Sequence, residues 1–160
     1  MKIVPVESIP KKIEDTPLNN LNKIFITGKK MESLCVEKNG IGLSACQVGI
    51  PWKFFIYKED DKKFHYMVNC DYVCLNDEKF IGLEGCLSLL DSNGNSRRFR
   101  VPRYKEIEVS GHELIFDEKL CIAEIKKSFK FTLESVIFQH EIDHQKGILI
   151  SDIGQEVGVF

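Results

Sequence analysis

The chain has 160 residues, 43% of them hydrophobic, which is enough for one sizeable core and too few for a second full domain. We therefore expect a single domain over residues 1–160. The net charge of −2 and a pI near 6.1 argue against a general nucleic-acid-binding protein. The first 12 residues lack the apolar stretch of a signal peptide, and no apolar run reaches the length of a membrane span. We expect a cytoplasmic protein with no membrane partner.

Six cysteines occur along the chain, at positions 35, 46, 70, 74, 86 and 121. An even number would be typical of disulfides in a secreted protein. Because no signal peptide is recognised, we expect reduced thiols instead. A reduced cysteine is then a candidate metal ligand.

The predicted elements are two helices with short strands between them. An amphipathic helix is predicted over residues 18–38. β-Branched and aromatic residues predict five strands, at residues 53–57, 64–69, 72–75, 106–110 and 120–129. Turn signals such as Asn93-Gly94 indicate antiparallel pairing, and Thr132 is the predicted N-cap of the last helix. The expected fold class is α+β, with antiparallel sheets packed around that central helix.

Residues 40–49 form a run of small residues, Gly-Ile-Gly-Leu-Ser-Ala-Cys-Gln-Val-Gly, that contains one side-chain amide, Gln47. Two glycines within three residues, Gly40 and Gly42, favour a loop that another backbone or an extended ligand approaches closely. On its own, the run also fits an ordinary turn.

Cys86 lies in the stretch Glu84-Gly85-Cys86-Leu87-Ser88, where the glycine before it permits tight backbone geometry. Catalytic zinc-type sites use three protein ligands and a water molecule. Cys86 is therefore a candidate third ligand for the two histidines further along the chain. The alternative is a buried cysteine that packs as a small hydrophobe.

The pentapeptide His140-Glu141-Ile142-Asp143-His144 matches H-E-x-x-H, in which two histidines flank a glutamate. Residues four apart project from one face of a helix, so His140 and His144 can bind one ion while Glu141 reaches a water molecule held there. The alternative is a core helix whose two histidines happen to face inward. The pattern indicates half of a metallohydrolase site.

Together these three stretches resemble the peptide deformylase family. They occur in the family's order, as G-x-G-L-[AS]-A-x-Q at residues 40–47, E-G-C-L-S at 84–88 and Q-H-E-x-D-H at 139–144. The likeness extends through Val-Pro-Arg at 101–103 and Gly-Ile-Leu at 147–149. Three spaced motifs are far more specific than any one of them, and the family's fold agrees with the predicted class.

The resemblance implies one divalent metal ion bound by Cys86, His140 and His144. Fe(II) is the expected ion, and Zn(II), Ni(II) or Co(II) would also suit this ligand set. Glu141 is then the general base that takes a proton from water and later delivers it to the leaving amine. Ligation by Glu141 is disfavoured because the three protein ligands already complete the set.

The resemblance further implies two donors for the oxyanion of the reaction, the side-chain amide of Gln47 and the backbone N–H of Leu87. For Gln47, the alternative is an amide that caps its own loop.

The implied reaction removes the formyl group from N-formylmethionyl nascent peptides and releases formate. Ile41 and Gly42 match positions where the family pairs its backbone with an extended peptide. Leu133 and Ile137 precede the histidines on the helix and are candidates for the wall of the methionine pocket, or for plain core. Arg98 corresponds to an arginine at the rim of the family's cleft. The ribosome exit region is a further candidate partner, and docking there is left open.

Some residues depart from the family pattern. Leu89-Leu90 replaces a hydrophobic residue followed by proline, and residues 91–95 form an apparent loop insertion that changes the expected rim of the cleft. The long C-terminal helix of many bacterial members is missing, as in short forms carried by bacteriophages, which suggests a viral origin. Arg103 is predicted to pair internally with Glu84 or Asp143.

Two other classes of function compete with this interpretation. A zinc endopeptidase would share H-E-x-x-H but would normally recruit a downstream histidine or glutamate as third ligand, and no histidine follows His144. An inactive deformylase-like module that binds peptide N-termini is the second alternative. The intact set of metal ligands, together with Glu141 and Gln47, argues against that loss of chemistry. A formate-release assay separates the cases.

Overall fold

Three α-helices and eight strands occur in residues 1–60 and 62–159, the part of the chain that the computed structural model describes. The helices are α1 (Leu21–Glu37), α2 (Leu133–Gln145) and α3 (Ile150–Ile153). The strands are β1 (Gly42–Ser44), β2 (Phe54–Lys58), β3 (Phe64–Cys74), β4 (Lys79–Leu90), β5 (Ser96–Tyr104), β6 (Glu106–Phe116), β7 (Leu120–Lys130) and β8 (Gln155–Val159). None of the helices in these ranges has the length and apolar character to span a bilayer.

The strands form two antiparallel sheets. The larger has the order β1-β2-β3-β6-β7 and the smaller the order β4-β5-β8. The α+β class and the antiparallel pairing predicted from the sequence are therefore confirmed.

Helices cover both faces of the five-stranded sheet. Strand β2 is apolar on both sides and packs against a helix on each. Phe54 and Ile56 pack in the cluster that contains Met31 of α1. Phe55, on the opposite face, makes an edge-on contact with Phe138 of α2, with ring centroids 5.4 Å apart. An uninterrupted apolar run is typical of a strand buried on both faces.

Helix α2 lies between the two sheets. Thr132 is its N-cap, as predicted, and accepts a hydrogen bond from a backbone N–H three residues on. One side of the helix packs Phe138 and Ile142 against the larger sheet. The other side faces the smaller sheet, where Asp143 pairs with Arg103 of β5. The predicted central position of this helix is confirmed.

Strands β4 and β5 form a hairpin that the sequence analysis did not predict. Its turn is the apparent insertion at residues 91–95, where the Asp91 N–H donates to the Asn95 carbonyl at 2.9 Å and Gly94 has a φ of +81°. Glycines interrupt the apolar alternation of β4, and arginines dominate β5, so neither segment has the composition of a typical strand.

Four other strands differ from prediction. The glycine-rich stretch that was expected to form a loop contains β1, and β6 continues beyond the predicted residues 106–110 to Phe116. The segments predicted at 64–69 and 72–75 form one strand, β3, whose pairing with β6 shifts in register between Val68 and Asp71. A bulge of this kind interrupts the sequence pattern without ending the strand. Near the C-terminus, where no strand was predicted, β8 pairs with β5, and Arg97 of β5 forms a salt bridge with Glu156 at 2.7 Å.

Candidate metal centre

The candidate metal ligands converge on one point between the smaller sheet and α2. Cys86 comes from β4, whereas His140 and His144 lie on successive turns of α2. One ligand atom from each residue lies within 4.8 Å of the others, and the Cys86 Sγ is 3.4 Å from the His144 Nε2. A thiolate and two imidazoles are a donor set that suits divalent transition-metal ions. These three side chains are therefore positioned to hold such an ion.

Cys86 stands at the start of a large bulge in β4. Gly85 pairs with Arg98 and Leu90 pairs with Ser96, so five residue steps on β4 correspond to two on β5. The extra residues leave the regular ladder, bend the strand and redirect its side chains. Cys86 is almost fully buried against α2 although it belongs to an edge strand.

The surroundings of Cys86 favour the thiolate. Burial raises the pKa of the thiol, but the charge on His144 and a hydrogen bond with His140 lower it more, so that the pKa lies well below the ordinary value. The thiolate is the form of cysteine that binds metal ions.

Glu84 fixes the orientation of the His140 ring. The His140 Nδ1 lies 2.8 Å from the Glu84 Oε2. A histidine whose Nδ1 donates to a carboxylate presents its Nε2 for metal binding. Although burial opposes ionisation of Glu84, hydrogen bonds from Arg103 and His140 lower its pKa, so the carboxylate is charged.

Arg103 holds that carboxylate from the other side. Its Nε and Nη2 donate to the two oxygens of Glu84 at 2.7 and 2.8 Å, and its Nη1 donates to Asp143 Oδ2 at 2.6 Å. Only 2% of the Arg103 side chain is exposed. The sequence predicted pairing with one of the two acids, and the structure shows pairing with both. The bond between Glu84 and His140 was missed, although strand alternation places Glu84 on the same side of β4 as Cys86.

Glu141 is buried next to the ligands. Burial raises its pKa to about 7, against the opposing charges of His140 and His144. Gly42 of β1 approaches it so closely that a Cβ on the glycine would lie 2.5 Å from the Glu141 Oε1. The other carboxylate oxygen has no hydrogen-bond partner among the described residues. A carboxylate with a pKa near neutrality can accept and return a proton at physiological pH.

The side-chain amide of Gln47 bonds to its own loop and also reaches the metal centre. Its Oε1 accepts the Ser44 N–H at 2.9 Å, which caps the short 3₁₀ helix Ala45–Val48. Its Nε2 donates to the Ser88 hydroxyl at 2.9 Å and lies 3.4 Å from the Cys86 Sγ. The capping bond therefore fixes the amide so that its N–H groups face the centre.

A cleft of about 390 Å³ opens above the centre. It contains every residue that the sequence analysis assigned to catalysis or substrate binding, namely Ile41, Gly42, Gln47, Leu87, Arg98, Leu133, Ile137 and Glu141. Leu133 is 59% exposed, whereas Ile137 is 5% exposed and also belongs to the core behind the cleft.

Other lining residues were not predicted, among them Lys38, Asn39, Leu83 and Ser96. No local motif marks these positions. Lys38 and Asn39 follow the end of α1, and Leu83 and Ser96 lie on the unpredicted hairpin. Only the tertiary fold brings them to the cleft.

The chain matches the family model described as polypeptide deformylase over residues 3–157. Among curated relatives, a peptide deformylase from Desulfosudis oleivorans is 30% identical over 117 residues, which are 71% of this chain and 61% of that protein. One from Buchnera aphidicola is 27% identical over 154 residues, 95% of this chain and 82% of the relative.

Solved structures agree with these sequence matches. A class I type b peptide deformylase from Acinetobacter baumannii superposes with a TM-score of 0.75 at 27% identity, over 94% of this chain and 99% of that one. The enzyme from Plasmodium falciparum gives 0.74 at 26% identity, over 96% and 86% of the two chains.

We predict that Cys86→Ser weakens metal binding more than about tenfold, because a neutral hydroxyl replaces the anionic sulfur ligand. Metal content after dialysis against a competing chelator measures the effect. Cys74→Ser and Cys121→Ser, at exposed positions, are matched controls that should keep the wild-type content. Normal loading of Cys86→Ser would contradict the assignment.

Proposed function

The chain belongs to the polypeptide deformylase family, and on that premise we propose that it hydrolyses the formyl group from N-formylmethionyl peptides and releases formate. One observation carries the proposal. A buried cysteine, two histidines and a glutamate of raised pKa meet at a cleft whose rim includes an edge strand. Such a site combines a metal-binding set, a proton acceptor and backbone groups for an extended peptide.

The two alternatives are less well supported. The ligand group found in the described ranges takes its third member from Cys86, upstream of the helix, whereas a zinc endopeptidase of this motif would use a downstream residue. A module that only binds peptides would have no need for a buried glutamate beside the ligands, since burial of a carboxylate without a partner is costly.

Cys86, His140 and His144 would hold the divalent ion, for which we propose Fe(II). When bound there, such an ion supplies a Lewis acid that acidifies water and polarises a carbonyl group. Zn(II), Ni(II) and Co(II) are alternative occupants, because affinity for these ligands does not select among them.

Glu141 would accept a proton from the attacking water and return it to the amine that leaves. Its carboxylate lies against the Gly42 backbone, so the glycine permits the close approach between β1 and α2 that places the proton acceptor at the cleft. General acid–base groups of this kind contribute about 10²- to 10⁴-fold to rate.

Gln47 and Leu87 would stabilise the oxyanion that forms at the formyl carbon. The Gln47 amide is held by its bond to Ser44, which limits its reorientation when charge develops. Leu87 lies in the bulged part of β4, so its backbone N–H is outside the regular ladder with β5.

An extended peptide would pair with the rim of the cleft. Strand β1 is the edge of the larger sheet, and Ile41 and Gly42 stand at the cleft end of it. Leu133 and Ile137 would pack against the methionine side chain, and Arg98 lies at the mouth. Nascent chains carry such N-termini, so the proposal implies action in the cytoplasm, with the ribosome exit region as a candidate place.

The proposed activity predicts selectivity for formyl over acetyl groups. Gly42 and Glu141 lie so close that an acetyl methyl would crowd them, and a crowded core position typically costs about 1–3 kcal/mol, or roughly 5- to 150-fold. We expect formate release from formyl-Met-Ala-Ser and at least about tenfold slower release of acetate from acetyl-Met-Ala-Ser. The metal-stripped protein is the blank. Comparable rates on both peptides would refute the proposed geometry.

Glu141→Gln should keep its metal and lose about 10²- to 10⁴-fold in turnover, since the amide has the same shape and accepts no proton. Metal analysis and formate release on one preparation measure the two effects together. Glu134→Gln, a change at a half-buried position in the first turn of the same helix, is the control and should retain activity. A fully loaded Glu141→Gln enzyme with the wild-type rate would show that the role is wrong.

The choice of Fe(II) predicts sensitivity to air. Protein purified without oxygen should contain iron and lose activity on exposure, as the ion and the coordinating thiolate oxidise. The Ni(II) or Co(II) form of the same preparation should persist. An iron form that stays active in air for days would be incompatible with this expectation.

A further inference from the structure

Tyr72 lies at the outer end of the buried ionic network that leads to His140. Its hydroxyl donates to the Asp143 Oδ1 at 3.0 Å, while the other oxygen of Asp143 accepts Arg103 at 2.6 Å. Arg103 binds both oxygens of Glu84, and Glu84 bonds to the His140 ring. An unbroken series of hydrogen bonds therefore joins a half-buried hydroxyl on β3 to a proposed metal ligand.

The charges of this network explain why a donor is needed at its end. Two carboxylates, Glu84 and Asp143, share one guanidinium in a buried place, so their oxygens need further hydrogen-bond donors. A buried carboxylate oxygen without a hydrogen bond is costly. The Tyr72 hydroxyl meets this need at Asp143, and Arg103 can then keep both of its bonds to Glu84.

Lys146 packs against the Tyr72 ring and restricts its position. The Nζ of Lys146 lies 4.6 Å from the centre of the tyrosine ring, and the same ammonium group pairs with Asp71 at 2.7 Å. Burial and the neighbouring Asp143 charge raise the pKa of Tyr72, so the hydroxyl keeps its proton and acts as a donor.

The two histidines of the centre differ in the hydrogen bonding of their Nδ1 atoms. His140 has the carboxylate of Glu84 on its Nδ1, whereas the buried Nδ1 of His144 has no hydrogen-bond partner in residues 1–60 and 62–159. Groups behind a ligand set its orientation and basicity. Groups behind the ligands therefore affect the orientation and basicity of His140.

We propose that Tyr72 is a positioning residue for the metal centre, which acts on His140 through Asp143, Arg103 and Glu84. The inference rests on the metal site of the proposed function, but not on its substrate. Without the hydroxyl, one buried oxygen of Asp143 has no hydrogen bond, and Asp143 competes with Glu84 for Arg103. The hydrogen bond between Glu84 and the His140 ring then weakens.

The test compares Tyr72→Phe with Tyr57→Phe. Tyr57 packs against the same helix and also donates its hydroxyl to a carboxylate, Glu59 at 3.0 Å, but no hydrogen bond among the described residues links it to the network. Co(II) is added to each metal-free protein, and its affinity is measured by chelator competition along with its absorption spectrum. We expect Tyr72→Phe to bind Co(II) about 3- to 10-fold more weakly, below the 10- to 100-fold typical of residues that contact a ligand directly. Its visible bands should shift, while those of Tyr57→Phe match the wild type.

Thermal unfolding separates positioning from a purely structural role. If both variants lose similar stability but keep the wild-type Co(II) affinity and spectrum, the proposal is overturned. A Tyr72→Phe protein that fails to fold would overturn it as well, because the hydroxyl would then serve the fold and not the centre. Formate release by the wild type is measured in parallel. A wild type that binds Co(II) with a thiolate spectrum but releases no formate would count against the proposed function alone.

Discussion

The buried guanidinium of Arg103 is the interaction on which the rest of the structure depends. It lies on β5 and pairs with one carboxylate on β4 and another on α2, so a single group connects the smaller sheet to the central helix. Breaking a buried ion pair by removing one partner costs about 3–5 kcal/mol, because the remaining charge has no water to solvate it. That cost opposes any separation of sheet and helix, and the metal ligands lie on those same two elements.

The partners of Arg103 lie on the same two elements as the metal ligands. On β4, alternation places Glu84 and Cys86 on the same side, one to bind Arg103 and the other to bind a metal ion. On α2, His140 and Asp143 are three residues apart and therefore adjacent on the helix surface. Strand β4 thus carries one metal ligand and one partner of Arg103, and α2 carries two metal ligands and one partner of Arg103. The pairing that docks the two elements therefore also sets the distance between Cys86 and the two histidines.

The parts of this arrangement that local sequence determines were predicted, and the parts that depend on tertiary contacts were not. His140, Glu141 and His144 share one helix whose N-cap, Thr132, is visible in the sequence, and Cys86 stands in a recognisable motif. The hairpin that carries Cys86 was missed, because its glycines and arginines lack the composition of a typical strand. The roles of Glu84 and Tyr72 depend on contacts across 56 and 71 residues of sequence, which no local pattern records.

The cleft also lies where the topology leaves backbone groups open. Strand β1 is an edge of the larger sheet and β4 an edge of the smaller one, and both border the same opening. An open edge strand can pair with another chain and cause aggregation. Short edge strands and β-bulges limit this pairing. Strand β1 has only three residues, and β4 is bulged between Gly85 and Leu90. The bulge that blunts the edge of β4 begins next to Cys86, so the protected part of this edge adjoins the metal centre.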